Sequence, residues 1–78
     1  MLENIKQNYS DETFLIADGF DDAIIGVDTS MKLIYSVTKC IEILMKDMTE
    51  DEAYEYFEYN VSGSYMGKKT PIWCYDNF

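Results

Sequence analysis

Asp18, Asp21, Asp22 and Asp28 are carboxylates of the kind that can hold a divalent cation, because hard ions take oxygen ligands. Their spacing does not match a calcium loop, which needs acids at alternate positions, a central Gly and a distal Glu. Turn chemistry explains them more simply. Asp18-Gly19 is a turn dipeptide of the kind that closes hairpins, and Asp21 or Asp22 is placed to cap the next element. Paired carboxylates also serve as acid and base in glycoside hydrolysis, but that chemistry needs a deep cleft, which 78 residues rarely build. Cys40 and Cys74 are nucleophile types without a His to activate them. Cys40 falls on the apolar face of an expected helix, where a reduced, packed thiol is the simplest reading and a disulfide to Cys74 has no support. Lys68-Lys69 is a small basic turn, too little charge for a phosphate site, and Gly63 and Gly67 match neither a P-loop nor a dinucleotide fingerprint. The expectation is no catalytic residue, no cofactor and no metal.

The charge balance removes further functions. The chain carries 15 Asp and Glu against 6 Lys, no Arg and no His, for a net charge of -9. Without His, no side chain has an unperturbed pKa near neutrality and the commonest metal ligand is missing. Without Arg there is no bidentate fork for phosphate, carboxylate or guanine. Such a charge repels nucleic acid and anionic membrane, so direct nucleic-acid and membrane binding are not expected. The N-terminal residues lack the basic start and apolar run of a signal peptide, and no apolar stretch approaches the ~20 residues of a membrane span. The chain reads as soluble and cytosolic.

These residues must be positioned by few elements. The length allows a single domain over residues 1–78, with 1–12 a flexible arm or a short helix in which Leu2, Ile5 and Tyr9 share a face. Thr13 to Ala17, Ala23 to Val27 and Lys32 to Val37 read as three strands, cheapest to pair antiparallel in sequence. From Val37 the apolar period changes: Val37, Cys40, Ile41, Leu44, Met45 and Met48 make one helical face, with Ile41 and Leu44 expected at its buried centre. Thr49-Glu50-Asp51-Glu52 reads as a capping box opening a second helix that runs to about Asn60, with Gly63 as its terminator. Thr70 to Tyr75 reads as a last strand, with Pro71 pointing to an edge or a strand start. The expected fold is α+β: a small, mostly antiparallel sheet in the order β-β-β-α-α-β, with two helices packed on one face.

On a helical wheel, Ala53, Tyr54, Phe57 and Val61 gather on one side of the second helix. Asp51, Glu52, Glu55 and Glu58 gather opposite, with Tyr59 among them. An acidic face of this kind keeps a small protein soluble, binds a basic partner, or imitates a row of DNA phosphates. Seven tyrosines exceed what a small core can bury, so some of Tyr54, Tyr56, Tyr59, Tyr65 and Tyr75 are expected at the surface, where aromatic residues anchor interfaces.

Three segments carry a resemblance. They are Gly19-Phe20-Asp21-Asp22-Ala23-Ile24-Ile25-Gly26-Val27, Lys39-Cys40-Ile41-Glu42-Ile43-Leu44-Met45, and Glu55 to Tyr65 followed by Gly67 and Thr70-Pro71. Over roughly residues 14–75 the chain resembles a group of small uncharacterised proteins encoded by tailed bacteriophages, notably marine ones. The resemblance implies expression in an infected bacterium, hence the host cytoplasm, and carries no activity. Together these readings point to a non-enzymatic phage accessory protein that binds a host or phage protein through Asp51, Glu52, Glu55, Glu58 and Tyr59. The alternatives are a DNA mimic that inhibits a host nucleic-acid enzyme and a sponge for a nucleotide signal, the latter opposed by the negative charge. A homodimer is compatible with the thin stability of so small a chain.

Overall fold

The structure is a computed structural model that describes residues 1–63 and 67–77. Helix α1 spans Leu2–Asn8, a 3-10 turn spans Asp21–Ala23, and strands β1 and β2 span Ile24–Val27 and Leu33–Ser36. Helices α2 (Val37–Leu44) and α3 (Glu50–Tyr56) follow, α3 runs on into a π-helical segment (Phe57–Ser62), and β3 spans Ile72–Cys74. The fold is α+β, with a three-stranded sheet in the order β1-β2-β3.

Local chemistry builds the β1–β2 hairpin. The Asp28 Oδ1 atom accepts from the Ser30 amide at 3.0 Å and from the Lys32 amide at 2.8 Å, so the turn closes on its own side chain. Met31 supplies the left-handed residue of this short loop at φ 60°, a conformation that usually falls to Gly or Asn. The strands pair antiparallel as Ile24↔Tyr35, Gly26↔Ile34 and Val27↔Leu33, which leaves Ile25 as the extra residue of a bulge.

Two expectations about the sheet are corrected. Residues 13–17 are not a strand, so the order is α-β-β-α-α-β rather than β-β-β-α-α-β. The segment 1–12 takes the short helix, one of its two expected forms: Ile5 is buried in the core and α1 packs beside β1. The Ala17 amide donates at 2.7 Å to the Tyr35 hydroxyl, so that donor is committed to a side chain rather than to a ladder. The sheet is also mixed rather than mostly antiparallel. β3 lies parallel to β2, with Ile34↔Ile72, Tyr35↔Trp73 and Ser36↔Cys74 in register. The hairpin is a local pairing, whereas β2 reaches β3 only through a long helical crossover, the connection that parallel strands require. β3 is an edge strand and Pro71 stands immediately before it, where its missing N–H costs no ladder bond.

The core is one cluster that draws Ile5, Phe20, Ile24, Leu33, Tyr35, Ile41 and Phe57 together from across the chain. α2 packs on both β2 and α3. Its Val37, Cys40 and Ile41 are buried as the period requires, while Leu44 is half-buried and Met45 is 43% exposed. The helix stops at Leu44, short of Met48. The Lys46 amide reaches Ile43 O at 3.3 Å and the Asp47 amide reaches Leu44 O at 3.1 Å, a tightening that satisfies the last carbonyls and rotates Met45 outward. On the other side of the core, the Trp73 ring lies 5.0 Å from Tyr35 and 5.5 Å from Phe57, edge-on to the latter.

Gly63 ends the helical run, but not as a left-handed terminator, because its φ is -77°. Close approach is what demands glycine there: a Cβ would sit 2.9 Å from the Glu58 carbonyl oxygen. Ala normally stabilises a helical position by ~1 kcal/mol over Gly. At this position the sign reverses, and Gly63→Ala is expected to lower the urea midpoint.

Tyr35→Phe leaves the buried Ala17 amide without its acceptor and is expected to cost about 1–3 kcal/mol in urea unfolding at unchanged m value. An unchanged midpoint would show that the amide finds water instead.

Candidate protein-binding surface

The surface starts from the cap that orients α3. The Thr49 amide donates to Glu52 Oε1 at 3.0 Å, and the Glu52 amide donates to Thr49 Oγ1 at 3.3 Å. This is the reciprocal capping box that the sequence predicts, reinforced by the Thr49 hydroxyl donating to Glu52 Oε1 at 3.0 Å. The bonds from Thr49, backbone first and side chain second, hold the Glu52 carboxyl below its ordinary range. Three acids in the first turn, Glu50, Asp51 and Glu52, also suit the positive end of the helix dipole.

With its start pinned, α3 and the π-helical segment present two distinct faces. Ala53, Phe57 and Val61 are buried, with Tyr54 half-buried beside them. Asp51, Glu52, Glu55 and Glu58 are exposed on the outside, and Tyr59 stands among them at 83% exposure. All five residues named from the sequence are exposed, away from the buried side of the element. An open groove of ≈ 370 Å³ runs along it between Met48, Glu52, Glu55, Tyr56, Tyr59 and Asn60.

Sequence reasoning missed a second cleft of ≈ 460 Å³, walled by Ile16, Asp18, Phe20, Val61 and Trp73 and sharing Tyr56 and Asn60 with the first as lining. Residues 13–17 form no strand, and the segment leaves Ile16 37% exposed while Ala17 is buried. No periodicity in the chain marks that wall. Tyr65, one of the tyrosines expected at the surface, lies outside the described residues.

The other chemistry-bearing residues have structural work. Asp28 closes the hairpin, and Asp18-Gly19 forms a turn in which Gly19 takes φ 89°. Because residues 13–17 are not a strand, that turn does not close a hairpin. Asp21 and Asp22 sit inside the 3-10 turn and make no side-chain cap, contrary to the sequence expectation. Among the described residues, no group of three or more His, Cys, Asp or Glu is arranged to hold a metal ion. The Lys69 ammonium reaches Glu12 at 3.4 Å and the Met31 carbonyl at 3.2 Å, tying the chain before β3 to the hairpin turn.

Asp76 makes a contact that no local pattern announces. Its Oδ1 accepts from the Thr38 amide at 3.3 Å at the start of α2, whose Ser36 cap accepts from the Lys39 amide at 3.1 Å. Hydrogen bonds from the Ser36 hydroxyl first, and then from Thr38, hold the Asp76 carboxyl below its usual range. Burial first, and the Asp76 charge second, push the Cys40 thiol up to about 12. A thiol so firmly protonated at neutral pH packs rather than attacks. Among the described residues, no helix is long and apolar enough to cross a membrane.

Comparison with family models, with curated proteins and with solved structures finds no match to this chain.

Thr49→Ala is expected to cost ~1 kcal/mol through the lost cap. Glu52→Gln tests the same box by pH. The folded Glu52 carboxyl is depressed, so its contribution is present above the ordinary carboxyl pKa of ~4.3 and is lost as pH falls through the lower folded value. Thermal melts of Glu52→Gln and the parent protein should therefore differ at pH 7 and converge in acid.

Proposed function

We propose that the chain is a non-enzymatic phage accessory protein that binds a host or phage protein through the acidic, tyrosine-rich face of α3 and the π-helical segment. The observation that carries this reading is Tyr59, 83% exposed among Asp51, Glu55 and Glu58 on an element whose opposite face is closed in the core. Tyr56, 45% exposed, extends the aromatic surface into the adjoining groove. Exposed tyrosines inside a charged rim are the composition of an interface anchor, since aromatic residues dominate binding hot spots. A π-helical segment is rare and recurs at functional sites, which adds weight to the same element. The resemblance to tailed-phage proteins supplies the biological setting.

Mimicry of DNA is a narrower form of the same reading, and charge density weakens it. Asp51 to Glu58 spans ~10 Å of helix axis at ~1.5 Å per residue. Duplex DNA carries one charge per ~1.7 Å, or about six over that length. The face offers Asp51, Glu52, Glu55 and Glu58, and Glu52 already binds its own cap. The strip matches a short run of one strand better than a duplex, so a basic protein surface is the better-supported partner.

The test is capture from infected-host lysate with identification by mass spectrometry. Capture should weaken steeply between 0.1 M and 1 M salt as the Debye length falls from ~10 Å to ~3 Å. The double variant Glu55→Lys, Glu58→Lys should keep its melting temperature and associate more slowly with the captured protein, as expected for steering charges. Equal capture by the folded variant would refute the reading and leave the acidic face as a solubilising surface.

A further inference from the structure

Glu55, Tyr56, Tyr59 and Met48 border one open groove. Glu55 lies four residues before Tyr59, a separation at which side chains along a helix are neighbours. Both rings are open to solvent, Tyr59 at 83% and Tyr56 at 45%. Glu52 also lines the groove, but its Oε1 atom is taken by the Thr49 cap. Among the described residues Glu55 has no cationic partner. The groove therefore sets one uncommitted carboxylate beside two exposed aromatic rings.

Charge and composition decide the occupant. A cation is attracted by the carboxylate, by the negative faces of the rings and by a chain of net charge -9. A nucleotide or another small anion is repelled by the same field. The exposure of the groove then separates the two cationic side chains. A Lys ammonium is a strongly hydrated point charge, and an exposed site does little to strip its water. A guanidinium is planar and weakly hydrated; it stacks on an aromatic face and still offers donors at its edge to a carboxylate. A tyrosine ring beside a carboxylate is therefore a seat for Arg. The chain has no Arg of its own, so neither an internal contact nor a second copy supplies that side chain. It has to come from a different protein.

Building on the protein-binding reading, we infer that the groove seats an arginine side chain of the partner, its guanidinium stacked on the Tyr59 ring and bonded at its edge to Glu55. Met48 and Tyr56 offer apolar surface to the aliphatic stem. The partner then presents Arg, and not merely positive charge, on the surface that meets this element.

Backbone amide NMR of the whole chain reads the groove directly. The probes are the synthetic peptide acetyl-Ala-Arg-Ala-amide, its Lys counterpart, and its citrulline counterpart, which keeps the shape of Arg without the charge. The Arg peptide should shift the Glu55, Tyr56 and Tyr59 amides saturably. The Lys peptide should bind at least about threefold more weakly and the citrulline peptide more weakly still, the size of loss expected for a cation–π contact at an exposed site. Tyr59→Ala, at an exposed position and checked by melting temperature, should weaken the Arg peptide by at least about threefold, and Tyr59→Phe, which keeps the ring, should bind it as the parent does. Equal binding of the Arg and citrulline peptides overturns the inference, because charge is then not recognised. Equal binding of the Arg and Lys peptides, or equal binding of the Arg peptide by the parent and Tyr59→Ala, overturns it as well and leaves the acidic-face reading standing. So does the absence of any shift while lysate capture remains sensitive to salt and to Glu55→Lys, Glu58→Lys. Shifts of the same amides on concentrating the protein alone would assign the groove to a second copy and likewise overturn it. If capture is indifferent to salt and to the charge reversals, both readings fall.

Discussion

Tyr35 stands on the central strand with its ring fully buried and its hydroxyl accepting the Ala17 amide at 2.7 Å. That bond fixes the irregular segment before the 3-10 turn against the middle of the sheet, across 18 residues of chain. The same ring packs against Trp73, which in turn meets Phe57 edge-on. Tyr35 and Trp73 together therefore join the N-terminal segment, the edge strand β3 and the π-helical segment. Burial raises the Tyr35 pKa, against the Ala17 amide, whose hydrogen bond pulls it the other way. In a domain of this size, where stability amounts to a few kcal/mol, an unpaired amide at that point would cost a large share of the total.

The second constraint acts at the start of α2. Ser36 is at once the last residue of β2 and the helix cap, and Asp76 from beyond β3 reaches the Thr38 amide in the first turn. A negative charge there offsets the open amides at a helix N-terminus. It also ties the C-terminal end of the chain to the strand–helix junction, next to the buried Cys40. The parallel docking of β3 and this tail contact reinforce one another, because Ser36 pairs with Cys74 two residues before Asp76.

These constraints determine how the acidic face is presented. Phe57 and Val61 anchor the π-helical segment to the core, so Tyr56 and Tyr59 are held at the surface by the same packing that buries their neighbours. The second cleft is walled on one side by the segment that Tyr35 holds and on another by Trp73.

Much of this was legible in the residues alone where the physics is local. The Thr49 and Glu52 box, the start of α2 after Ser36, the Asp28 break between β1 and β2, and the division of α3 into a buried and an acidic side all depend on neighbours within a few positions. Spacing and residue type determine such features because the competing interactions are also local. The exposed positions of Asp51, Glu52, Glu55, Glu58 and Tyr59 follow from that division. Only the tertiary structure decided that residues 13–17 leave the sheet, that the N-terminal residues form a helix beside β1, that β3 runs parallel, and that Asp76 reaches α2. It alone brought Ile16, Phe20 and Trp73 together into the second cleft. In each case a strand-like or featureless stretch had several partners of similar local merit. The choice fell to contacts between residues far apart in the chain, chiefly the Tyr35 hydroxyl and the aromatic packing around Trp73, whose energies no local pattern encodes.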